Sequence, residues 1–337
     1  MEKIVVLGAG SWGTALSILL AKKGYKVVVW EYSKDRAIEL EEKRENDIFL
    51  PGVKFPENLE ITSSLDNILV DTRFLLFSVP AQVLRTVASQ ISSQLREDIT
   101  IINSAKGIEL KTGLRLSEVI KDEILGKFHK NIIALSGPTH AEEVAIQLPS
   151  AIVAAGDLDR GKEVQQLFST EYFRVYTSQD IIGVELGGAI KNCIAITNGI
   201  SDGLGYGDNS RAALITRGLA EMSRFGLYFG ANPLTFTGLA GMGDLIVTCT
   251  SRHSRNRGVG ERIGKGEKIE EILSSMKMVA EGVPTLKAVK ELAEKHQINM
   301  PIIDATYSII YENKSIVEAL SSLMTRELKE EFHLSKN

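Results

Sequence analysis

Gly8-Ala9-Gly10-Ser11-Trp12-Gly13 is the stretch that decides the fold. It matches G-x-G-x-x-G, a pattern whose meaning depends on its surroundings. Residues 4–7 (Ile-Val-Val-Leu) read as a short buried strand, and residues 14–23 follow with helical periodicity. In a strand–turn–helix unit the first glycine makes the tight turn. The second lets a pyrophosphate approach the backbone, and the third lets the helix pack on the strand. The phosphates then meet the positive end of the helix. A second apolar run, residues 27–30, is followed by Glu31, which lies 23 positions beyond Gly8. An acidic residue about 20 positions on is the expected partner of a ribose hydroxyl. Dinucleotide binding follows from this pattern; the bland alternative is a Gly-rich turn beside a surface glutamate.

The same rhythm continues outward. Residues 74–77, 99–102 and 132–135 are further short runs rich in β-branched or aromatic types, with helical stretches such as 81–95 between them. Continuous apolar runs suit strands buried on both faces of a parallel sheet, so the order predicts a doubly wound α/β domain. Residues 46–58, with Pro51-Gly52 and Pro56, read as a long surface loop; 151–155 and 173–176 are candidate further strands. After about Ser178 helical periodicity dominates, broken by Gly, Asn and Asp clusters at 202–208, 238–244 and 255–266. Two domains are expected: residues 1–180, α/β and dinucleotide-binding, and residues 181–337, mostly α-helical. The charged tail, 327–337, is expected to fray.

Composition excludes several function classes. The 337 residues carry 39 Lys plus Arg against 43 Asp plus Glu, a formal charge of -4, so no long-range attraction draws in nucleic acid or an anionic membrane. With 44% hydrophobic and 24% charged residues the chain is ordinary globular stock. No apolar run approaches the roughly 20 residues of a membrane span, and no signal-peptide pattern precedes Lys3. Cys193 and Cys249 are far apart and in no C-x-x-C pairing, which fits a reducing, cytoplasmic compartment. The five histidines are scattered with no metal-ligand spacing, so no metal is expected.

Four places carry chemistry. Ligands bind outside the carboxyl ends of parallel strands, and those ends here bear Ser78-Val79-Pro80, Asn103-Ser104-Ala105-Lys106-Gly107 and Ser136-Gly137-Pro138-Thr139. Lys106 places a cation there, although alone it would read as a solvated loop lysine. Glu185 to Ile196 looks like a buried helix, yet it contains Lys191. Helical side chains lean over the preceding turn, so Lys191 reaches across Gly187 and Gly188. Each glycine costs the helix roughly 1 kcal/mol relative to alanine, and together they are expected to clear a floor on which a ligand lies. A desolvated lysine has a lowered pKa and trades a proton near neutrality; the alternative is a lysine that snorkels to water. Asp244, between Gly243 and an apolar run, reads either as a helix N-cap or as the holder of a lysine or substrate hydroxyl. Arg252, Arg255 and Arg257 fall within seven residues, which suits a small phosphorylated substrate or a solvated basic loop.

Together these motifs resemble the bacterial NAD(P)-dependent glycerol-3-phosphate dehydrogenases, from residue 3 to about 332. The resemblance rests on GAGSWGTAL at 8–16, SAKGIE at 104–109, SGPTHAEEV at 136–144, ELGGAIKN at 185–192, DGLGYGDN at 202–209, GLAGMGDLIVTC at 238–249 and SRNR at 254–257. It implies a Rossmann domain and a helical substrate domain enclosing one site. It implies reduction of dihydroxyacetone phosphate to sn-glycerol 3-phosphate with NAD(H) or NADP(H), for glycerophospholipid synthesis. Lys191 matches the family's proton-transfer residue, and Thr248 a position close to it. Lys106, Gly137, Thr139, Asp244, Ser254, Arg255 and Asn256 match substrate contacts. Ser11, Trp12, Lys106, Ala141, Arg255, Val279 and Glu281 match cofactor contacts, beside Gly8, Gly10, Gly13, Glu31, Tyr32 and Phe49. A homodimer is expected by the same analogy.

Two departures from the family stand out. Many members carry arginine after the second strand, where it meets an NADP 2′-phosphate; this chain has Glu31-Tyr32-Ser33, so NADH is expected to be preferred. Phe49 stands where tyrosine is common in N-x-x-Y-L-P-G, removing that hydroxyl. The competing expectations are a β-hydroxyacid or 6-phosphogluconate-type dehydrogenase, disfavoured by the Arg255 cluster with Asp244, and a dinucleotide sensor, which needs no proton donor.

Overall fold

The computed structural model describes residues 2–328, 330 and 331. The first half runs β1 (Lys3–Leu7), α1 (Ser11–Lys22), β2 (Lys26–Trp30), α2 (Lys34–Lys43), β3 (Leu59–Thr62), β4 (Thr72–Phe77), α3 (Leu84–Ile91), β5 (Thr100–Asn103), α4 (Leu116–Glu123), β6 (Ile132–Ser136), α5 (Ala141–Ala145), β7 (Ser150–Ala155), α6 (Leu158–Phe168) and β8 (Phe173–Ser178). The eight strands form one sheet in the order β3-β2-β1-β4-β5-β6-β7-β8, parallel except where β7 meets β6. The fold is the doubly wound, Rossmann-like sheet the apolar runs predict. Strands β1, β4, β5 and β6 are buried on both faces, and one apolar core lies on each side of the sheet.

Two features of the sheet depart from the sequence reading. Strand β3 falls just after the predicted loop of residues 46–58 and was not expected as a strand. It sits at the sheet edge, with only Leu59 buried, so it lacks the continuous apolar run of an inner strand. Strand β7 runs antiparallel to β6: the connection between them, residues 137–149, carries only the short α5 and returns the chain beside the end of β6 instead of crossing over the sheet.

The second half is helical: α7 (Ile181–Gly203), α8 (Asp208–Tyr228), α9 (Pro233–Thr237), α10 (Asp244–Thr250), α11 (Arg255–Gly264), α12 (Ile269–Ser275), α13 (Gly282–Lys295), α14 (Pro301–Tyr311) and α15 (Ile316–Met324). A π-turn, Leu239–Gly243, precedes α10. Helix α7 is the axis, buried continuously from Gly183 to Ser201, and α8, α10, α11, α13 and α14 pack around it. Its partner α11 comes close enough for backbones to touch: a Cβ on Gly199 would collide with the Arg257 carbonyl, and one on Gly260 with the Ile196 carbonyl. Among the described residues no helix is long and apolar enough to cross a membrane. The predicted fraying of 327–337 falls mostly outside the described residues.

Candidate active site

The turn after β1 has the shape its glycines dictate. Gly8 stands at φ +112°, and a Cβ there would lie 2.7 Å from the Ser78 carbonyl oxygen. A Cβ on Gly13 would collide with the Gly8 carbonyl, so this glycine lets α1 close on the strand end. Gly10 faces open space, with nothing within 4 Å of a Cβ position. It is also the N-cap of α1, and no side chain caps that helix. Beside it the Trp12 indole nitrogen is buried without a hydrogen-bond partner among the described residues. An uncapped helix start, an open backbone and an orphan donor form a cradle that fits a pyrophosphate.

From this turn a cleft of about 690 Å3 runs between the sheet's carboxyl edge and the helical domain. The candidate residues line it, except Gly13, Gly137 and Asp244, which lie just behind its wall. At one end, Glu31 accepts the Ser33 backbone N–H at 3.0 Å, and exposed Tyr32 meets Trp30 edge-on, ring centroids 6.3 Å apart. Phe49 lines the same end, held by its N–H to Asn46 Oδ1 at 3.2 Å.

At the other end two lysines share one carboxylate. Lys191 Nζ, from α7, donates to Asp244 Oδ1 and to Thr248 Oγ1, the latter at 2.9 Å. Lys106 Nζ, from the loop after β5, donates to Asp244 Oδ2 at 2.8 Å and to the Gly137 carbonyl at 3.2 Å. Thr248 Oγ1 also donates to the Asp244 carbonyl at 2.6 Å. Burial lowers the Lys191 pKa to about 7; Asp244 opposes the fall and Lys106 adds to it. Burial alone would raise Asp244, and the two ammonium groups instead hold it below the ordinary aspartate range. Of the two readings of Asp244, the structure takes the second: it opens α10 without capping it, and its oxygens go to the lysines.

The expected role of Gly187 and Gly188 is corrected. They do not leave a floor for a ligand, because protein fills that space. A Cβ on Gly187 would collide with the Ala240 carbonyl; one on Gly188 would lie 2.6 Å from Ser136 Oγ and 3.6 Å from the Lys106 stem. These glycines let α7 press against the π-turn and against Lys106. Lys191 does not snorkel, since its side chain is only 7% exposed.

The three arginines part company. Arg257 forms an ion pair with Asp202 at 2.7 Å, and Arg252 is exposed outside the cleft. Arg255 alone lines the cleft, its Nη1 donating to the Val279 carbonyl at 3.0 Å. Ser254 caps α11 by accepting the Arg257 N–H at 3.2 Å. Asn256 donates to Asn192 Oδ1 and accepts the Gly282 N–H, both at 2.9 Å. Glu281 accepts the Ala81 N–H at 3.1 Å, leaves Oε2 buried without a hydrogen-bond partner among the described residues, and is pushed up to about 7 by burial. Thr139 Oγ1 donates to the Gly137 carbonyl at 3.2 Å, and Ala141 opens α5 on the cleft wall.

Asn192, His140 and His253 also line the cleft and were not singled out by sequence. Asn192 and His140 lie inside quoted motifs, which was the available signal. A second buried carboxylate joins the domains nearby: Glu185 on α7 accepts the Ser117 N–H at 2.7 Å, Ser117 Oγ at 2.6 Å and Arg115 Nη1 at 2.7 Å. Among the described residues no cluster of His, Cys, Asp or Glu could hold a metal.

Residues 3–160 match the N-terminal family NAD-dependent glycerol-3-phosphate dehydrogenase N-terminus, and residues 180–321 match NAD-dependent glycerol-3-phosphate dehydrogenase C-terminus. A glycerol-3-phosphate dehydrogenase [NAD(P)+] of Pelotomaculum thermopropionicum is 50% identical over 325 residues, covering 96% of this chain and 93% of the relative. One of Geobacter sp. is 50% identical over 331 residues, covering 98% and 99%. The crystal structure of glycerol-3-phosphate dehydrogenase from Coxiella burnetii superposes with a TM-score of 0.92 at 38% identity, covering 96% and 99%. By sequence, by fold and over nearly its full length, this chain belongs to the NAD-dependent glycerol-3-phosphate dehydrogenase family.

Proposed function

We propose that this chain reduces dihydroxyacetone phosphate to sn-glycerol 3-phosphate with NAD(H) or NADP(H), the backbone-forming step for glycerophospholipids. The observation that carries the reading is the pair of lysines on one buried carboxylate, at the end of a cleft that begins at the Gly-rich turn. Bound in that cleft, the dinucleotide supplies the hydride for the C2 carbonyl. The uncapped start of α1 and Gly10 receive its pyrophosphate.

Lys191 Nζ gives the proton to the C2 oxygen, and with Lys106 it stabilises negative charge growing on that oxygen. A pKa lowered by burial to about 7 suits this exchange, because the ammonium becomes acidic enough to release a proton near neutrality while Asp244 keeps it from losing its charge altogether. Asp244 holds both ammonium groups at the end of the cleft, and Thr248 accepts a second hydrogen bond from Lys191. Arg255 and Asn256 receive the substrate phosphate, with Ser254 and Thr139 shaping the wall around it and Gly137 just behind that wall. The Ala141, Val279 and Glu281 positions border the cofactor side of the same cleft.

Glu31 supports a preference for NADH. Its carboxylate accepts from ribose hydroxyls and repels a 2′-phosphate, and no arginine replaces it at the end of β2. The reading further takes the enzyme to be a cytoplasmic homodimer, a proposal carried by the family analogy and by two free, buried cysteines. Sedimentation velocity giving a monomer alone would remove the dimer. The reaction is tested by adding dihydroxyacetone phosphate to enzyme with NADH, then with NADPH, and following reduced-nicotinamide absorbance. A fall is expected with both, faster with NADH; no fall in a folded sample that binds NADH would overturn the substrate.

A further inference from the structure

His140 lines the cleft, and the reaction as described gives it no task. It directly precedes α5 as its N-cap, yet its ring makes no capping bond. Its Nε2 is buried without a hydrogen-bond partner among the described residues, while the residue lines the cleft with Lys191, Arg255 and Asn256. The ring leans on His253, centroids 5.8 Å apart and planes tilted by 51°, and His253 belongs to the loop that delivers Ser254 and Arg255. A buried polar atom without a partner is costly, and at a cleft wall the natural partner is an atom of whatever enters.

The chemistry of that partner follows from the groups facing the ring. They are Lys191 from α7, Lys106 from the loop after β5, Asp244 from α10, and His253. Burial, then Lys191 and Lys106, lower the His140 pKa to about 4, against the opposite pull of Asp244. The free ring is therefore neutral at pH 7, with one nitrogen carrying hydrogen. An anion brought into this cationic corner reverses the local sign and favours both donation from the ring and its protonation.

We propose that His140 is a further substrate-contacting residue, presenting Nε2 to the phosphate of dihydroxyacetone phosphate beside Arg255 and Asn256, with His253 bracing its ring. The inference rests on the substrate reading given above and adds a residue to it. It has two consequences. On the acid side, close to the ring's own midpoint, substrate binding is linked to proton uptake by His140, and loss of the nitrogen weakens substrate without weakening cofactor.

The test is a pH titration of the histidine Cε1 signals by NMR on intact enzyme, with His140→Phe identifying the signal. It is run free, with NAD+ alone, and with saturating sn-glycerol 3-phosphate. The His140 midpoint is expected to rise by at least one pH unit with sn-glycerol 3-phosphate and to stay in place with NAD+ alone. An unmoved signal in a sample that calorimetry shows to bind sn-glycerol 3-phosphate overturns the contact. So does a signal that answers to NAD+ instead. If sn-glycerol 3-phosphate does not bind at all, the substrate reading falls and takes the contact with it. Kinetically, His140→Phe keeps the ring's packing and is expected to raise KM for dihydroxyacetone phosphate roughly tenfold, the scale of one hydrogen bond to a charged group. KM for NADH is expected to stay within about twofold; equal losses in both KM values, or a loss in kcat alone, contradict the proposal.

Discussion

Asp244 and Glu185 are both fully buried carboxylates, and both hold the helical domain to the sheet domain. Their surroundings make them different objects. Glu185 is met by one guanidinium and by two neutral donors of Ser117, and none of these partners lines the cleft. Burial wins there and pushes its pKa up. Asp244 is met by two ammonium groups, and these hold its pKa down against the same burial. Its partners Lys191 and Lys106 end at the cleft wall. A buried carboxylate with every donor committed is a fastening; one shared between two cations that face a cavity can redistribute a proton when a ligand arrives.

Replacing Lys191 makes the sharpest test of that contrast. If Lys191 is the proton donor as proposed, Lys191→Met is expected to lower kcat roughly 10²- to 10⁴-fold, the usual worth of a positioned general acid. NADH affinity, read by fluorescence titration, should hold. A variant that turns over within tenfold of the parent would move proton transfer elsewhere. Glu185→Gln should do the reverse. It leaves Arg115 short of a buried partner and is expected to cost about 3–5 kcal/mol of stability by denaturant unfolding. At a temperature where the variant is folded, kcat should change only a few-fold. A large kcat loss with unchanged stability would erase the distinction between the two carboxylates. The smallest effect belongs to a third carboxylate on the cleft rim, where water screens it. Glu31→Ala is expected to shift the NADPH-to-NADH ratio of kcat/KM by roughly tenfold toward NADPH, on the order of one hydrogen bond plus one removed repulsion. An unchanged ratio takes Glu31 out of cofactor choice.

How much of this was legible in sequence depended on how local the physics is. The β1–turn–α1 unit could be read because each glycine answers to a neighbour a few residues away: Gly8 to its own φ, Gly13 to the Gly8 carbonyl. The inner strands could be read because burial on two faces writes a continuous apolar run. Edge strand β3 writes no such run, and the reversal of β7 depends on the path of the connection before it, which composition does not display. The lysine–carboxylate group joins positions 138 and 53 residues apart, and no spacing encodes that meeting. The resemblance grouped those residues, and the fold brings them together. Gly187 and Gly188 looked like room for a ligand because the segments that fill it, Ala240 and the Lys106 stem, are distant in sequence. Arg255 and Arg257 looked like one cluster, yet residues two apart on a helix point about 200° apart. One faces the cleft and the other pairs with Asp202.

The most direct test of the central claim is the pH dependence of kcat/KM in both directions, measured with the same enzyme and cofactor pair. This quantity reports groups in the free enzyme, where Lys191 sits near 7. Reduction of dihydroxyacetone phosphate needs the ammonium, so its kcat/KM should be level below about pH 7 and fall roughly tenfold per unit above it. Oxidation of sn-glycerol 3-phosphate needs the free amine, so it should climb to a plateau above the same value. Profiles that move together, or that are flat from about pH 6 to 9, would contradict a buried lysine as the proton carrier.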